Sequence, residues 1–292
     1  MANAEALRSG KGSRDENFPV ASRLVHPRHR APILAFYEFV RVADDIADHP
    51  MLSDADKLAH LHRLEESLLG NTTTEPPGVA LRAALQERGL APRHALDLLA
   101  AFRLDVTKRR YRNWDELIGY CRYSANPVGR FVLDVHGENR AIWPANDALC
   151  TALQIINHLQ DCGADYRNLD RVYVPLDALA TAGIGVDALA APRASPALRA
   201  CLADLARRTG ALLEESRGFS AAIGDLRLAL EVSVIHSLAE RLVGVLRARD
   251  PLSERVHLGK ADTAMTGLIA VAKGLFGRLL RPSAPPEPAR HD

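Results

Sequence analysis

Two rows of acid at helical spacing constrain this chain more than any other feature. Residues 36–48 read FYEFVRVADDIAD, and at 3.6 residues per turn Tyr37, Arg41, Asp44 and Asp48 fall on one stripe, at offsets 0, 4, 7 and 11. Phe36, Phe39, Val40, Ala43 and Ala47 take the other side and read as core. Residues 154–165, QIINHLQDCGAD, repeat the rhythm, with Gln154, Asn157, Asp161 and Asp165 at offsets 0, 3, 7 and 11. Carboxylates one helical turn apart have Cβ atoms about 5–6 Å apart. At an effective dielectric near 20 they repel by about 3 kcal/mol. Water reduces that to tenths on an open surface, so a lone acidic run is usually a solvated face. Two such rows set in apolar stretches are another matter: if they face one another, only cations can hold them there.

The rest of the chain reads as helix after helix. Long helices are expected near 28–49, after the cap Ser53 to a stop at Gly70, at 79–88 and at 93–110. Another runs from the cap Asn113 toward Val135 with an interruption at Pro127, and Asn146 opens the one carrying the second acid row. Further helices are expected at 176–182, 196–217 and 225–248, whereas Val172, Tyr173 and Pro175 read as extended. No alternating strand pattern, repeat or interdomain linker is visible. The reading is an all-α, single-domain bundle of about ten helices. Its main body spans 17–262, with a loose segment at 1–16, an amphipathic helix at 263–281 and a disordered tail at 282–292. With a formal net charge of +1, no global basic field argues for nucleic acid. Cys121, Cys150, Cys162 and Cys201 show no metal spacing, nothing resembles a signal peptide, and no run of about 18 apolar residues could span a bilayer. A cytoplasmic protein with reduced thiols is expected. Residues 264–281 are apolar with scattered cations, suiting a helix packed on the body or a surface touching lipid on the inner face of the membrane, with Lys273, Arg278 and Arg281 near headgroups.

Hard carboxylate oxygens suit Mg²⁺, which keeps several waters and is readily shared with substrate phosphates. Arg41, on the same stripe, would then meet a phosphate. The residues suggest a metal-assisted site for a diphosphate, in which metal ions neutralise the leaving group and allow its C–O bond to ionise. The resulting cation needs a dry pocket with aromatic faces. Phe18, Phe36, Tyr37, Phe39, Tyr111, Tyr120 and Tyr123 cluster by sequence near these stretches.

Taken together, residues 36–48, LDVTKRRYRNWDEL (104–117), YCRYSANPVG (120–129), NHLQDCGADYRNLDRVYVP (157–175) and SERVHLGK (253–260) resemble the squalene/phytoene synthases of the class I isoprenoid synthase fold. The resemblance covers about residues 15 to 262. It implies an all-α fold around a deep cavity, with Mg²⁺ bridging both acidic motifs to a prenyl diphosphate. Asp44, Asp48, Asp161 and Asp165 match the metal-binding aspartates, with Asn157 on the same face. Tyr37, Arg41, Arg255 and Lys260 match positions that contact the diphosphate or close over it. Asp105 and Tyr120 match polar positions beside the reacting carbons, and Ala125, Val128, Gly129 and Gln154 match cavity lining.

Within the family, GKGSRDENFPVAS (10–22), SANPVGR (124–130) and LSERVHLGK (252–260) look most like the hopanoid-pathway branch. That branch takes presqualene diphosphate, ionises it and lets water capture the rearranged cation, giving hydroxysqualene without a nicotinamide. Two departures from the phytoene synthase pattern fit a changed outcome: Asn126-Pro127 where a glycine and a small residue are usual, and Gln160 where an arginine is common. Asn126, or a polar group near it, is therefore expected to help position the quenching water. The nearest rival is condensation of two farnesyl diphosphates to presqualene diphosphate, squalene or a phytoene-type product. A carboxylate-bridged di-iron bundle would want two ExxH elements, and the chain has one, at Glu254 and His257. A non-catalytic assembly factor with this fold should show broken acidic motifs, and both are intact. Oligomeric state is left open by the sequence.

Overall fold

The computed structural model describes residues 26–279. Twelve α-helices and two short 3-10 turns occur among them, and the one ladder contact is an isolated parallel bridge between Arg110 and Val172. The helices are α1 (Pro27–Asp48), α2 (Asp54–Leu69), α3 (Pro76–Arg88), α4 (Arg93–Thr107), α5 (Trp114–Ser124), α6 (Asn126–His136), α7 (Trp143–Leu169), α8 (Leu176–Thr181), α9 (Pro196–Glu215), α10 (Phe219–Ala222), α11 (Leu226–Ala248) and α12 (Lys260–Leu279).

Local chemistry accounts for most of these boundaries. Ser53 and Asn113 accept the backbone N–H groups of Asp56 and Glu116, capping α2 and α5, and Gly70 ends α2 at φ 91°, which a side chain disfavours. Proline at the first turn starts α3 at Pro76, before the expected 79, and α7 at Trp143, before the expected Asn146; in both cases the missing N–H is one the helix does not need. Pro32 inside α1 leaves the Arg28 carbonyl without its usual donor, and the Arg88 guanidinium from α3 takes it instead. The helix expected from Trp114 to Val135 is two helices. Ala125 breaks the ring of hydrogen bonds, and Pro127 sits in the first turn of α6. This break and the four-residue α10 explain why there are more helices than the ten expected.

Two cores are buried on either side of a seam. One gathers Phe39, Val42 and Ile46 of α1 with Leu61, Leu64, Leu81, Leu98 and Phe131. The other gathers Leu117, Leu133, Ile155, Leu159, Leu205 and Val243 from α5, α6, α7, α9 and α11. Each side chain of this size buried in full contributes about 1.5–3 kcal/mol. The seam between α1 and α6 on one side and α7 and α11 on the other holds a cavity. α12 lies along α11: Ser233 Oγ donates to the Ala270 carbonyl at 3.2 Å, Arg241 reaches Asp262 at 3.4 Å, and Ala270 is buried. Its Met265, Leu268 and Ile269, one helical turn apart, are exposed. No described helix is long and apolar enough to cross a membrane. The segments expected to be loose or disordered (1–16 and 282–292), Phe18 and Arg281 lie outside the described residues, as do the side chains of Lys260, Lys273 and Arg278.

Candidate active site

The acid rows come together at the ends of α1 and α7. The carboxylates of Asp44 and Asp48 are 36% and 40% exposed, so both remain reachable from a cleft although their helix is otherwise deeply packed. Arg41 forks onto its own helix, donating Nη1 to Asp44 Oδ2 at 2.8 Å and Nη2 to the buried Asp45 Oδ1 at 2.7 Å. Burial, reinforced by Asp48 and opposed by Arg41, pushes Asp44 up to about 7. On α7, burial, then Asp161 and then Asp48 push Asp165 up to about 7. The field of Asp48 thus reaches across from one row to the other, and Asp161 is solvent-accessible beside them.

These shifts set a pH dependence for the metal-free protein. A carboxyl raised in the folded state favours folding fully below its unfolded value near 4, and that contribution is lost as pH rises through 7. Burial drives His29 down to about 4 and His158 down to about 3, which works in the opposite sense up to the unfolded histidine value near 6.5. Above pH 6.5 the histidine effect fades as the unfolded imidazoles lose their protons, and up to pH 8 the carboxyl effect is the larger. The melting temperature in EDTA should therefore fall across that interval, and Mg²⁺ should flatten the fall. Thermal melts in both buffers check this; a melting temperature that rises with pH in EDTA would contradict the arrangement.

Behind the rows lies a polar knot. The Tyr120 hydroxyl donates to both Asp105 oxygens at 2.9 Å, Tyr173 donates to Asp105 Oδ1 at 2.8 Å, and burial holds Asp105 at about 6. Arg171, also buried, donates Nε to the Asp105 carbonyl at 2.9 Å, Nη1 to Asp48 Oδ1 at 2.5 Å and Nη2 to the Ala47 carbonyl at 3.0 Å. His158 stacks on Tyr173 with ring centroids 3.5 Å apart and accepts from Gln154. Tyr111 and Tyr120 complete the aromatic group.

The seam cavity has a volume of about 310 Å³, within reach of a small-ligand pocket. Its wall is largely aliphatic and aromatic, with Phe36 stacked on Phe131 at 3.9 Å. Tyr37 and Val40 of α1 and Gln154 and Asn157 of α7 line it, two turns and one turn short of the acids on each helix, so the dry space runs toward the charged end. Ala125, Val128 and Gly129 line it from the α5–α6 break. Gly129 is where α6 meets α7: a Cβ there would stand 2.0 Å from Asn146 Oδ1 and 2.6 Å from Cys150 Sγ.

Other expected site residues sit elsewhere. Asp105 and Tyr120 are in the buried knot and do not line this cavity. Asn126 is buried with its carboxamide oxygen accepting from Thr151 Oγ1 at 2.9 Å, and it is absent from the wall; its neighbour Ser124 is on the wall, with a hydroxyl that has no hydrogen-bond partner. Arg255 is exposed on the segment after α11, which Gln160 tethers by donating to the Val256 carbonyl. Phe39 is fully buried in the core and Tyr123 is exposed, so neither serves as a cavity face. Arg171, Tyr173, His158 and the wall residue Glu231 were not singled out by sequence. Glu231 did carry a signal, being a lone carboxylate in the apolar run LALEVSVI.

The donor chemistry at the acid end fits a divalent cation. It offers hard carboxylate oxygens on two facing helices whose mutual repulsion a cation would relieve. The aspartates do not converge as a tight trio, however. Among the described residues the one group of three histidine, cysteine or carboxylate ligand atoms within 4.8 Å of one another is His29, His136 and Asp225. A cation between the rows would complete its shell with water and ligand oxygens, as Mg²⁺ commonly does.

A strand-free helical bundle around a cavity, with acid rows facing across one end, is the class I isoprenoid synthase fold. The chain belongs to the squalene/phytoene synthase family, whose model matches residues 12–262. It is 59% identical over 278 residues to a hydroxysqualene synthase of Rhodopseudomonas palustris, covering 95% of each chain. It is 54% identical to one of Zymomonas mobilis, covering 94% of this chain and 93% of the other. Among solved structures it resembles a squalene synthase of Alicyclobacillus acidocaldarius at 33% identity and TM-score 0.71, covering 84% of this chain and 91% of that one. It is thus a hydroxysqualene synthase-like enzyme of this family.

Proposed function

We propose that the protein converts presqualene diphosphate and water into hydroxysqualene and diphosphate, in squalene and hopanoid biosynthesis. The observation that carries this is the apolar cavity whose wall reaches Val40 and Asn157, one helical turn from Asp44 and Asp161, so that a dry space adjoins a site for a charged head. The names of the relatives at 54–59% identity support the choice of product. In this reading Asp44, Asp48, Asp161 and Asp165 hold Mg²⁺. When bound, Mg²⁺ neutralises the diphosphate and favours its departure. Arg41, Tyr37, Asn157, Arg255 and Lys260 bind the diphosphate or close over it. Ala125, Val128, Gly129 and Gln154 shape the space for the hydrocarbon, while Asp105 and Tyr120 hold the polar layer beside the reacting carbons. Water attacks the rearranged cation, its oxygen forming the new C–O bond and its proton passing to the released diphosphate. Asn126, or Ser124 beside it, seats that water.

The test is turnover of presqualene diphosphate by purified protein with Mg²⁺ and no NADPH. Hydroxysqualene is the expected product, and Ser124→Ala and Asn126→Gly show which side chain shifts the product away from the alcohol. Turnover of farnesyl diphosphate to a stable C30 hydrocarbon, or of a C20 prenyl diphosphate to a C40 one, would move the assignment to the condensing enzymes of the family.

The substrate class also gives a reason for the exposed face of α12. Met265, Leu268 and Ile269, followed in sequence by Lys273, Arg278 and Arg281, suit a helix lying in the headgroup region of an anionic membrane. The protein is expected to float with anionic vesicles, and the double variant Leu268→Glu, Ile269→Glu to remain in solution. Wild-type protein that fails to float removes this part of the proposal.

A further inference from the structure

At the far end of α1 from the acid rows, three side chains from three helices meet with unused ligand capacity. His29 is in the first turn of α1, His136 ends α6, and Asp225 caps α11. One ligand atom from each lies within 4.8 Å of the others. His29 is only 4% exposed, and its rings stand against those of His136 with centroids 4.1 Å apart. His29 Nδ1 and His136 Nε2 are both buried without a hydrogen-bond partner. Orphaned polar atoms of this kind are rare and call for an explanation. Two of them, facing one carboxylate, are the donor set of a transition-metal site.

The surroundings orient all three groups. His136 Nδ1 lies 2.8 Å from the Val132 carbonyl, which places its proton on Nδ1 and the lone pair on Nε2. A second-shell carbonyl commonly fixes a ligating imidazole in this way. Asp225 Oδ1 accepts from the Leu228 N–H at 3.0 Å, the Arg227 N–H also bonds the carboxylate, and Glu138 anchors the Asp225 backbone N–H at 2.8 Å, so the carboxylate is held in place with lone pairs to spare for a ligand. His29 Nε2 accepts from Arg28 Nε at 2.8 Å, so in the metal-free protein the His29 proton is on Nδ1. Binding through Nδ1 moves that proton to Nε2 with no net release, and the exposed Arg28 side chain turns outward. The low pKa of His29 keeps the ring neutral, the form that ligates.

We propose that His29, His136 and Asp225 bind one Zn²⁺ ion, with water in the fourth position. Imidazole nitrogens with a carboxylate suit zinc far better than magnesium. The site is separate from the acid rows: His29 and Asp44 are fifteen residue steps apart along α1, about 22 Å. It pins the beginnings of α1 and α11 to the end of α6. The next turns of these helices carry Ile33, Leu228 and Val132, all on the cavity wall, so zinc would brace this part of the cavity wall.

The test uses tag-free full-length protein stripped with chelator, then dialysed against zinc in millimolar Mg²⁺. One zinc per chain is expected by elemental analysis, and Co²⁺ in its place should give a visible absorption band. His136→Gln and Asp225→Asn should each weaken zinc binding by at least about 10-fold. Asp225→Asn keeps the helix cap, which guards against loss of folding as the cause. Asp165→Asn should bind zinc as wild type does. No zinc retained by wild type, zinc unaffected by His136→Gln and Asp225→Asn, or zinc lost in Asp165→Asn would each overturn the assignment.

Discussion

Asp165→Asn is expected to cut turnover by about 10²–10³-fold, the scale of removing one preorganised electrostatic contributor, while making the metal-free protein more stable. The two effects come from one cause. Asp165 has no ion-pair partner among the described residues, and burial, Asp161 and Asp48 all disfavour its charge. Asparagine keeps the shape and one oxygen but removes that unfavourable charge, so the metal-free fold loses repulsion. If the carboxylate is there to hold a divalent cation, the same substitution weakens Mg²⁺ binding and slows the reaction. Melting temperature in EDTA should rise and the Mg²⁺-induced increase should shrink; Asp161→Asn should follow the same pattern of lost turnover with the fold kept. A site that gives up stability for function behaves this way. Near-wild-type turnover in Asp165→Asn, or a lower melting temperature in EDTA, would leave the acid rows without the role proposed for them.

How much of this could be read from the sequence depends on the range of the interaction involved. The two acid stripes follow from helical period alone, because which residues share a face of α1 or α7 is set within four residues along the chain. The caps at Ser53 and Asn113 are equally local. The break at Ala125 is partly local: Pro127 signals an interruption, but whether the helix kinks or restarts depends on how α6 packs on α7 at Gly129. The polar knot was not legible. Arg171 stands 123 residues from Asp48 and 66 from Asp105, and Tyr173 stands 68 from Asp105. Nothing in the run RVYVP says which backbone will meet it. Gln160 shows the same limit. It could be noticed as a departure from a family pattern, but its partner, the Val256 carbonyl, lies 96 residues away. Asn126 shows the limit from another side: its place next to the wall is local, but the bond its carboxamide oxygen accepts from Thr151 comes from 25 residues away.

Arg171→Met is expected to destabilise the protein by about 3 kcal/mol and to lower the melting temperature by about 6–12 °C. The guanidinium joins three otherwise separate parts of the chain: the end of α1 through Ala47 and Asp48, α4 through the Asp105 carbonyl, and its own segment after α7. Removing it strands two backbone carbonyls, at about 1–3 kcal/mol each. The Asp48 carboxylate adds less than a fully buried partner would, because it is 40% exposed and can turn to water. Lysine should not rescue the loss, since one ammonium on a flexible stem cannot serve three acceptors held in a fork. A second consequence distinguishes this residue from an ordinary structural arginine. Arg171 favours the charged forms of both Asp105 and Asp165, so without it both carboxyls rise further. Protons then compete more strongly with a divalent cation, and the Mg²⁺ concentration for half-maximal stabilisation at pH 7 should increase, with the gap to wild type closing by pH 8.5. Urea titrations with and without Mg²⁺ at the two pH values measure both effects. A variant that loses stability with unchanged Mg²⁺ dependence would make Arg171 a strut only. One that loses neither would mean that the contacts joining α1, α4 and the segment after α7 do not form in solution.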